Sequence, residues 1–176
     1  NIKSTDKILF ICTNVPKYPK HFSTGPLSDE INFNYIQIKK FFKNIKKKNK
    51  KKIFIRFYVA QKAWEQDKRY QQLVGLKNVV YSNNAYEKLR RKASIKIVSY
   101  PQTAFLESII NGPTFLLFNP IHYDENKENK KFMKILFKNK IAFKDGKELA
   151  LHLNKVENDI MLWWNQKKIQ NSINLF

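Results

Sequence analysis

The chain has 176 residues and a formal charge of +20, from 34 Lys plus Arg against 14 Asp plus Glu. Apolar residues at 43% and aromatics at 14% are ample for one core, which excludes global disorder and fits a single domain over 1–176. One cysteine, Cys12, excludes a disulfide framework and a cysteine-rich zinc site, and no apolar run approaches the roughly 18 residues that span a bilayer.

The predicted elements alternate in kind. Residues 7–13 form a short apolar run with β-branched members and read as a buried strand, which makes Cys12 a structural thiol. After a Pro-rich loop, Ser28 caps a helix whose buried stripe is Ile31, Tyr35, Ile38 and Phe42. Residues 46–52, bounded by Lys46 and Lys52, hold six Lys and one Asn; they read as a solvated helix end and loop, or as a contact for lipid headgroups or nucleic acid. Residues 53–59 are the second strand, 60–73 a partly helical stretch and 78–82 a third strand. Asn83 or Asn84 caps a helix over 85–93, and 95–99 is the fourth strand. A helix over 103–110 stops at Asn111-Gly112-Pro113, and 114–118 is the fifth strand. Helices over 130–139 and 146–156 flank a short strand near 141–143, and one amphipathic helix over 159–176 carries Trp163 and Trp164, which pack into the core or onto a partner. Strands alternating with helices imply an α/β fold, a Rossmann-like, doubly wound parallel sheet flanked by helices.

Ligands of such sheets bind beyond the carboxyl ends of the strands. That rule selects Thr13 and Asn14, then Arg56 and Tyr58, then Ser99, Gln102 and Thr103, then Asn119 and His122. A strand ending at Ser99 and a helix starting near Thr103 would expose free N–H groups suited to a phosphate, with Gln102 and Thr103 as side-chain donors. Glu107, one turn further, would accept from a ribose diol; alternatively Thr103 only caps the helix and Glu107 is a solvated carboxylate. With only four Gly there is no dinucleotide fingerprint and no Walker loop. His21, His122 and His152 show no metal spacing, and His152 reads as packing or surface.

Only four of the 34 basic residues are Arg: Arg56, Arg69, Arg90 and Arg91. Base readers and phosphate clamps lean on the Arg fork, so this Lys excess, arriving with heavy Asn and Ile usage, reads first as the coding bias of an AT-rich genome. The charge still favours anionic partners, so a non-enzymatic basic module for nucleic acid or anionic membrane is the alternative function. A flavodoxin-like regulatory domain ranks last, because Thr13, Tyr58 and Ser99 give no acidic cluster at the strand ends. The start, Asn1-Ile-Lys-Ser4, is neither a signal peptide nor an initiator-Met start, so the chain reads as part of something longer or as a processed protein.

The segments Ser99-Tyr-Pro-Gln-Thr-Ala-Phe-Leu-Glu107 and Asn111-Gly-Pro-Thr-Phe-Leu-Leu-Phe-Asn-Pro120 resemble the C-terminal domain of GT-B glycosyltransferases. The closer likeness is to a family of transferases from bacterial surface-carbohydrate gene clusters. It runs through Thr13-Asn-Val-Pro-Lys-Tyr18, Arg56-Phe-Tyr58 with Trp64, Thr103-Ala-Phe-Leu-Glu107, Asn111-Gly-Pro-Thr114, Phe118-Asn-Pro120 and Trp163-Trp-Asn165. The resemblance implies one half of a GT-B fold, a donor-binding domain for a nucleotide-sugar, with Thr103 and its helix start at the donor phosphate, Glu107 at the ribose and Arg56 near the anionic donor. It implies no cofactor and no metal, an N-terminal acceptor domain as partner without which the chain does not turn over, and a cytoplasmic location, with the Lys run as a contact to the inner-membrane surface. The chain departs from the pattern in lacking the acceptor half and in its Gly-poor donor loop.

Overall fold

A computed structural model of the chain describes residues 5–12, 28–57, 66–119 and 127–175. Six strands rich in Ile, Val, Leu and Phe pair in parallel: β1 (Thr5–Ile11), β2 (Ile53–Arg56), β3 (Val79–Val80), β4 (Ala93–Val98), β5 (Thr114–Leu117) and β6 (Ala142–Phe143). Their order across the sheet is β3-β2-β1-β4-β5-β6. Consecutive residues are buried along each strand, as a sheet covered on both faces requires; Leu9, Phe10, Phe115 and Leu116 are fully buried. In register, Phe10 lies between Ile55 of β2 and Ile97 of β4. This is the expected Rossmann-like sheet. Its strand order reverses between β1 and β4, which opens a crevice beyond their carboxyl ends.

The helices are α1 (Ser28–Asn44), α2 (Lys47–Lys50), α3 (Gln66–Val74), α4 (Asn83–Lys92), α5 (Thr103–Ile110), α6 (Lys127–Lys138), α7 (Gly146–Val156), α8 (Ile160–Trp164) and α9 (Lys167–Ile173). The α1 stripe is buried at Ile38, Phe41 and Phe42 and continues to Ile45 just past the helix, with Phe41 and Phe42 meeting Phe10 at ring distances of 5.6 and 6.0 Å. Phe41 is an addition to the predicted stripe. Helix α7 lies against α1 so closely that a Cβ on Gly146 would collide with the Gln37 carbonyl and stand 2.8 Å from Phe41 N. Gly146 N also donates to Gln37 Oε1 at 3.0 Å. Glycine is therefore required there by proximity to another helix.

Besides strand ends that shift by a few residues, three differences from the sequence reading have a physical reason in the structure. The cap of α4 is Ser82, whose hydroxyl accepts from Ala85 N at 3.3 Å, so the helix starts two residues before 85. The terminal helix is broken into α8 and α9 at Asn165 and Gln166. Trp163 stacks on Phe115 at 5.0 Å, while Ile169, six residues on, is fully buried. On one straight helix those two side chains would point about 120° apart, so the chain turns to bury both. Gln170 Nε2 holds the turn by donating to Trp164 O at 2.8 Å. Of the two readings of Trp163 and Trp164, both side chains are in the core.

The third difference is at α6, which spans Lys127–Lys138 and ends in a Schellman motif. Ile141 N donates to Leu136 O at 3.0 Å and Lys140 N to Phe137 O at 3.2 Å. The residue that turns left-handed, where glycine is usual, is Lys140, at φ 59°. In the Lys run, Lys46 N and Nζ bond Asn154 at 3.0 Å each, Lys48 meets Glu157 at 2.8 Å and Lys52 meets Asp6 at 2.8 Å. The run thus stitches α2 to the end of α7 and to β1.

Candidate functional site

A cavity of about 470 Å³ opens at the β1/β4 crevice. Each wall is set by where an element ends. Ile11 and Cys12 close β1, Arg56 and Phe57 close β2, and Val98 ends β4. The chain then turns through Tyr100 and Pro101 into α5, which presents Gln102, Thr103 and Ala104, with Glu107 one turn further. Facing it is the first part of α4, with Asn83, Tyr86 and Glu87.

Two helix starts therefore flank one cavity. Gln102 is the N-cap of α5 but makes no side-chain cap bond. The amides of Thr103 and Ala104 have no acceptor within their helix, because Phe105 N, at 2.8 Å, is the first to reach Gln102 O. The start of α4 adds a second positive dipole end. Between them stands Arg56, 7% exposed, in the β2 wall. Its Nη2 donates to Asn83 Oδ1 at 2.6 Å, its Nη1 to Val80 O and Tyr81 O at 3.4 and 3.3 Å, and its guanidinium lies 5.2 Å from the Tyr86 ring centre. These contacts fix its charge in place.

The rim is acidic. Arg90 Nη2 pairs with Glu87 at 2.8 Å and Arg90 Nη1 stands 4.0 Å from Glu107, so one guanidinium links α4 to α5. Arg90's hydrogen bond holds the Glu87 carboxyl below its ordinary range. Burial pushes the Tyr86 phenol up, and burial pushes the Cys12 thiol up to about 12 despite its bond with Tyr70. Cys12 is thus an unreactive wall residue, as its place in the strand suggested.

Of the residues selected from the sequence, Arg56, Gln102, Thr103 and Glu107 come together on this cavity. Ser99 is fully buried away from the wall. Val98 lines the cavity, alternation sends the next side chain to the other face, and Asn34 Nδ2 binds the Ser99 carbonyl at 3.1 Å. Asn119, half-buried after β5, is not in the cavity wall either. Thr13, Asn14, Tyr58 and His122 lie outside the described residues. Asn83, Tyr86 and Glu87 were missed as site residues. A helix start facing the crevice is the available signal, but in the sequence Asn83 stands out only as a cap.

Among the described residues no group of three or more His, Cys, Asp and Glu side chains is placed to hold a metal ion. Nor is any helix among them long and apolar enough to cross a membrane.

The model of the LIC12162 family transferases matches residues 1–176. The chain belongs to that family, and so to a family of transferases. No curated protein and no solved structure matches the chain significantly.

Proposed function

Taking membership of that transferase family as the premise, we propose that the chain is the donor-binding half of a GT-B-type glycosyltransferase. The cavity at the β1/β4 crevice would hold a nucleotide-sugar. One observation carries this reading: the starts of α4 and α5 and the buried Arg56 converge on a single cavity whose two carboxylates, Glu87 and Glu107, are half-exposed and share Arg90. That polarity matches a ligand with a phosphate at one end and hydroxyls at the other.

In this reading the amides of Thr103 and Ala104, together with the Thr103 hydroxyl, bind the donor phosphate, and Glu107 accepts from the ribose diol. Transfer breaks the bond between the anomeric carbon and the phosphate oxygen, and the electron pair leaves with the nucleotide. Charge grows on that oxygen, so α5 and Arg56 stabilise departure more than binding. The acceptor hydroxyl and the base that takes its proton come from an acceptor domain, the partner this reading requires. The nucleotide-sugar is a substrate, and no resident cofactor enters. A place in surface-polysaccharide synthesis, in the cytoplasm at the inner-membrane surface, completes the proposal.

The competing reading, a basic module for nucleic acid or anionic membrane, draws its support from the +20 charge and from residues 46–52. Lys46, Lys48 and Lys52 are engaged there with Asn154, Glu157 and Asp6, which weakens it. Titration with UDP-, GDP-, CDP- and CMP-linked sugars tests the donor reading. Saturable binding to one of them, weakened by Thr103→Ala, is expected; binding to none of them, in a sample that includes the acceptor domain, would overturn it.

A further inference from the structure

At the β6 edge of the sheet lies another cavity, of about 360 Å³. Four lysines line it from three directions: Lys138 and Lys140 from the end of α6, Lys155 from α7 and Lys168 from α9. Among the described residues none of the four pairs with a carboxylate, although Asp159 shares the wall. Like charges gathered around one concavity repel, and a bound anion relieves that repulsion.

Two further observations point to a ligand. His152 also lines the cavity, and its Nε2 is buried without a hydrogen-bond partner among the described residues. Its ring is held between Phe143, at 5.3 Å, and Trp163, also at 5.3 Å, so its place is fixed by packing. Second, Lys140 occupies the left-handed position of the Schellman motif, where glycine is the unstrained choice. Its Nζ rests 5.7 Å from the Phe143 ring centre, beside the histidine.

We propose that this lysine-lined cavity beside β6 binds a dianionic phosphate group. The group is carried either by a soluble phosphorylated molecule or by a lipid headgroup. Four ammonium groups match a dianion, and a small turn of the His152 ring toward the cavity would give its buried Nε2 a partner, through its own proton or one on a phosphate oxygen. Burial first, and then Lys140, Lys155 and Lys168, push the His152 imidazole down to about 4. The exposed Leu162 on the same wall gives the lipid form an apolar contact. This site is separate from the donor cavity and does not depend on the donor reading.

The test is an NMR titration of the 176-residue chain with sodium phosphate, with sodium chloride holding ionic strength constant. The His152 ring and the Lys140 amide report this site, and the Thr103 and Ala104 amides report the other. Saturating shifts at His152 and Lys140 are expected. Their midpoint should rise about tenfold in Lys140→Gly and in Lys155→Gln/Lys168→Gln, with any Thr103 response unchanged. Lys140→Gly keeps the fold, because glycine prefers that backbone.

Co-sedimentation with phosphatidic acid vesicles, absent with phosphatidylcholine alone and lost in the double variant, identifies a headgroup. A phosphate response without sedimentation identifies a soluble ligand. Linear shifts in phosphate together with no vesicle binding overturn the proposal. So does binding undiminished in both variants, or binding to a DNA oligonucleotide alone.

Discussion

Arg56 and Asn83 are joined by a 2.6 Å hydrogen bond that ties the carboxyl end of β2 to the first residue of α4. The bond crosses the wall of the candidate donor cavity, so it serves the fold and the site together. Asn83→Ala removes it from a buried guanidinium and should cost about 1.5–3 kcal/mol of stability. Asn83→Asp retains an acceptor for Arg56 but adds a negative charge to the cavity. Thermal melts should show Asn83→Asp close to wild type, while nucleotide-sugar titrations show it binding several-fold more weakly. Equal loss of stability and affinity in both variants would contradict the assignment.

Thr103 separates binding from folding more cleanly. Its side chain is exposed, and the N-cap of α5 is Gln102. Thr103→Ala should therefore change stability by less than about 0.5 kcal/mol. Loss of a phosphate contact would weaken donor binding by about 1–3 kcal/mol. Denaturant unfolding and calorimetric titration of the same sample read the two numbers.

Gly146 should be among the least tolerant positions. Any Cβ there meets the backbone of α1 at Gln37 and Phe41, which cannot move as a flexible side chain would. Gly146→Ala should cost about 3 kcal/mol, at the upper end of overpacking. A midpoint in urea unchanged from wild type would show that α1 and α7 are further apart than the structure has them.

His152 makes stability fall in mild acid. Burial first, and then Lys140, Lys155 and Lys168, lower its pKa from 6.5 to about 4. As pH drops from 6.5 toward 4 the unfolded chain takes up the proton before the folded one does, so stability present above pH 6.5 is lost through that window. With solvent screening the loss should be about 1–2 kcal/mol. His152→Phe should flatten stability over that window. Below it, Asp145 and Glu157 continue the decline. Burial raises both, but hydrogen bonds and lysine charges outweigh it, from Lys40 and the amides of Glu148 and Lys147 at Asp145 and from Lys48, Asn49 and Lys46 at Glu157, and hold both carboxyls below their ordinary range. Unfolding curves collected across the window measure the slope.

The sheet was legible because hydrophobic runs of strand length, separated by helical spacing, leave few alternatives to a parallel doubly wound fold. The turn from Ser99 to Thr103 was legible for the same reason: a strand ending and a helix beginning is a local signal. What escaped was non-local. The Lys96 ammonium is buried in β4 and donates to Asn111 O at 2.9 Å, closing the C-terminal end of α5, yet in sequence it is only one lysine of many. Burial, then Arg90, push it down to about 8. The break after Trp164 escaped because periodicity alone does not show that Trp163 and Ile169 are buried on different sides. Asn83, Tyr86 and Glu87 join the site only because strand order sets α4 opposite α5.

The central claim is that the crevice between β1 and β4 binds a nucleotide-sugar through the start of α5. Its most direct test is an amide-detected NMR titration with the nucleotide-sugar that binds best. The account predicts saturable shifts centred on Thr103, Ala104 and Asn83, with the Lys140 amide unmoved. Saturable binding that perturbs none of those three amides would contradict it.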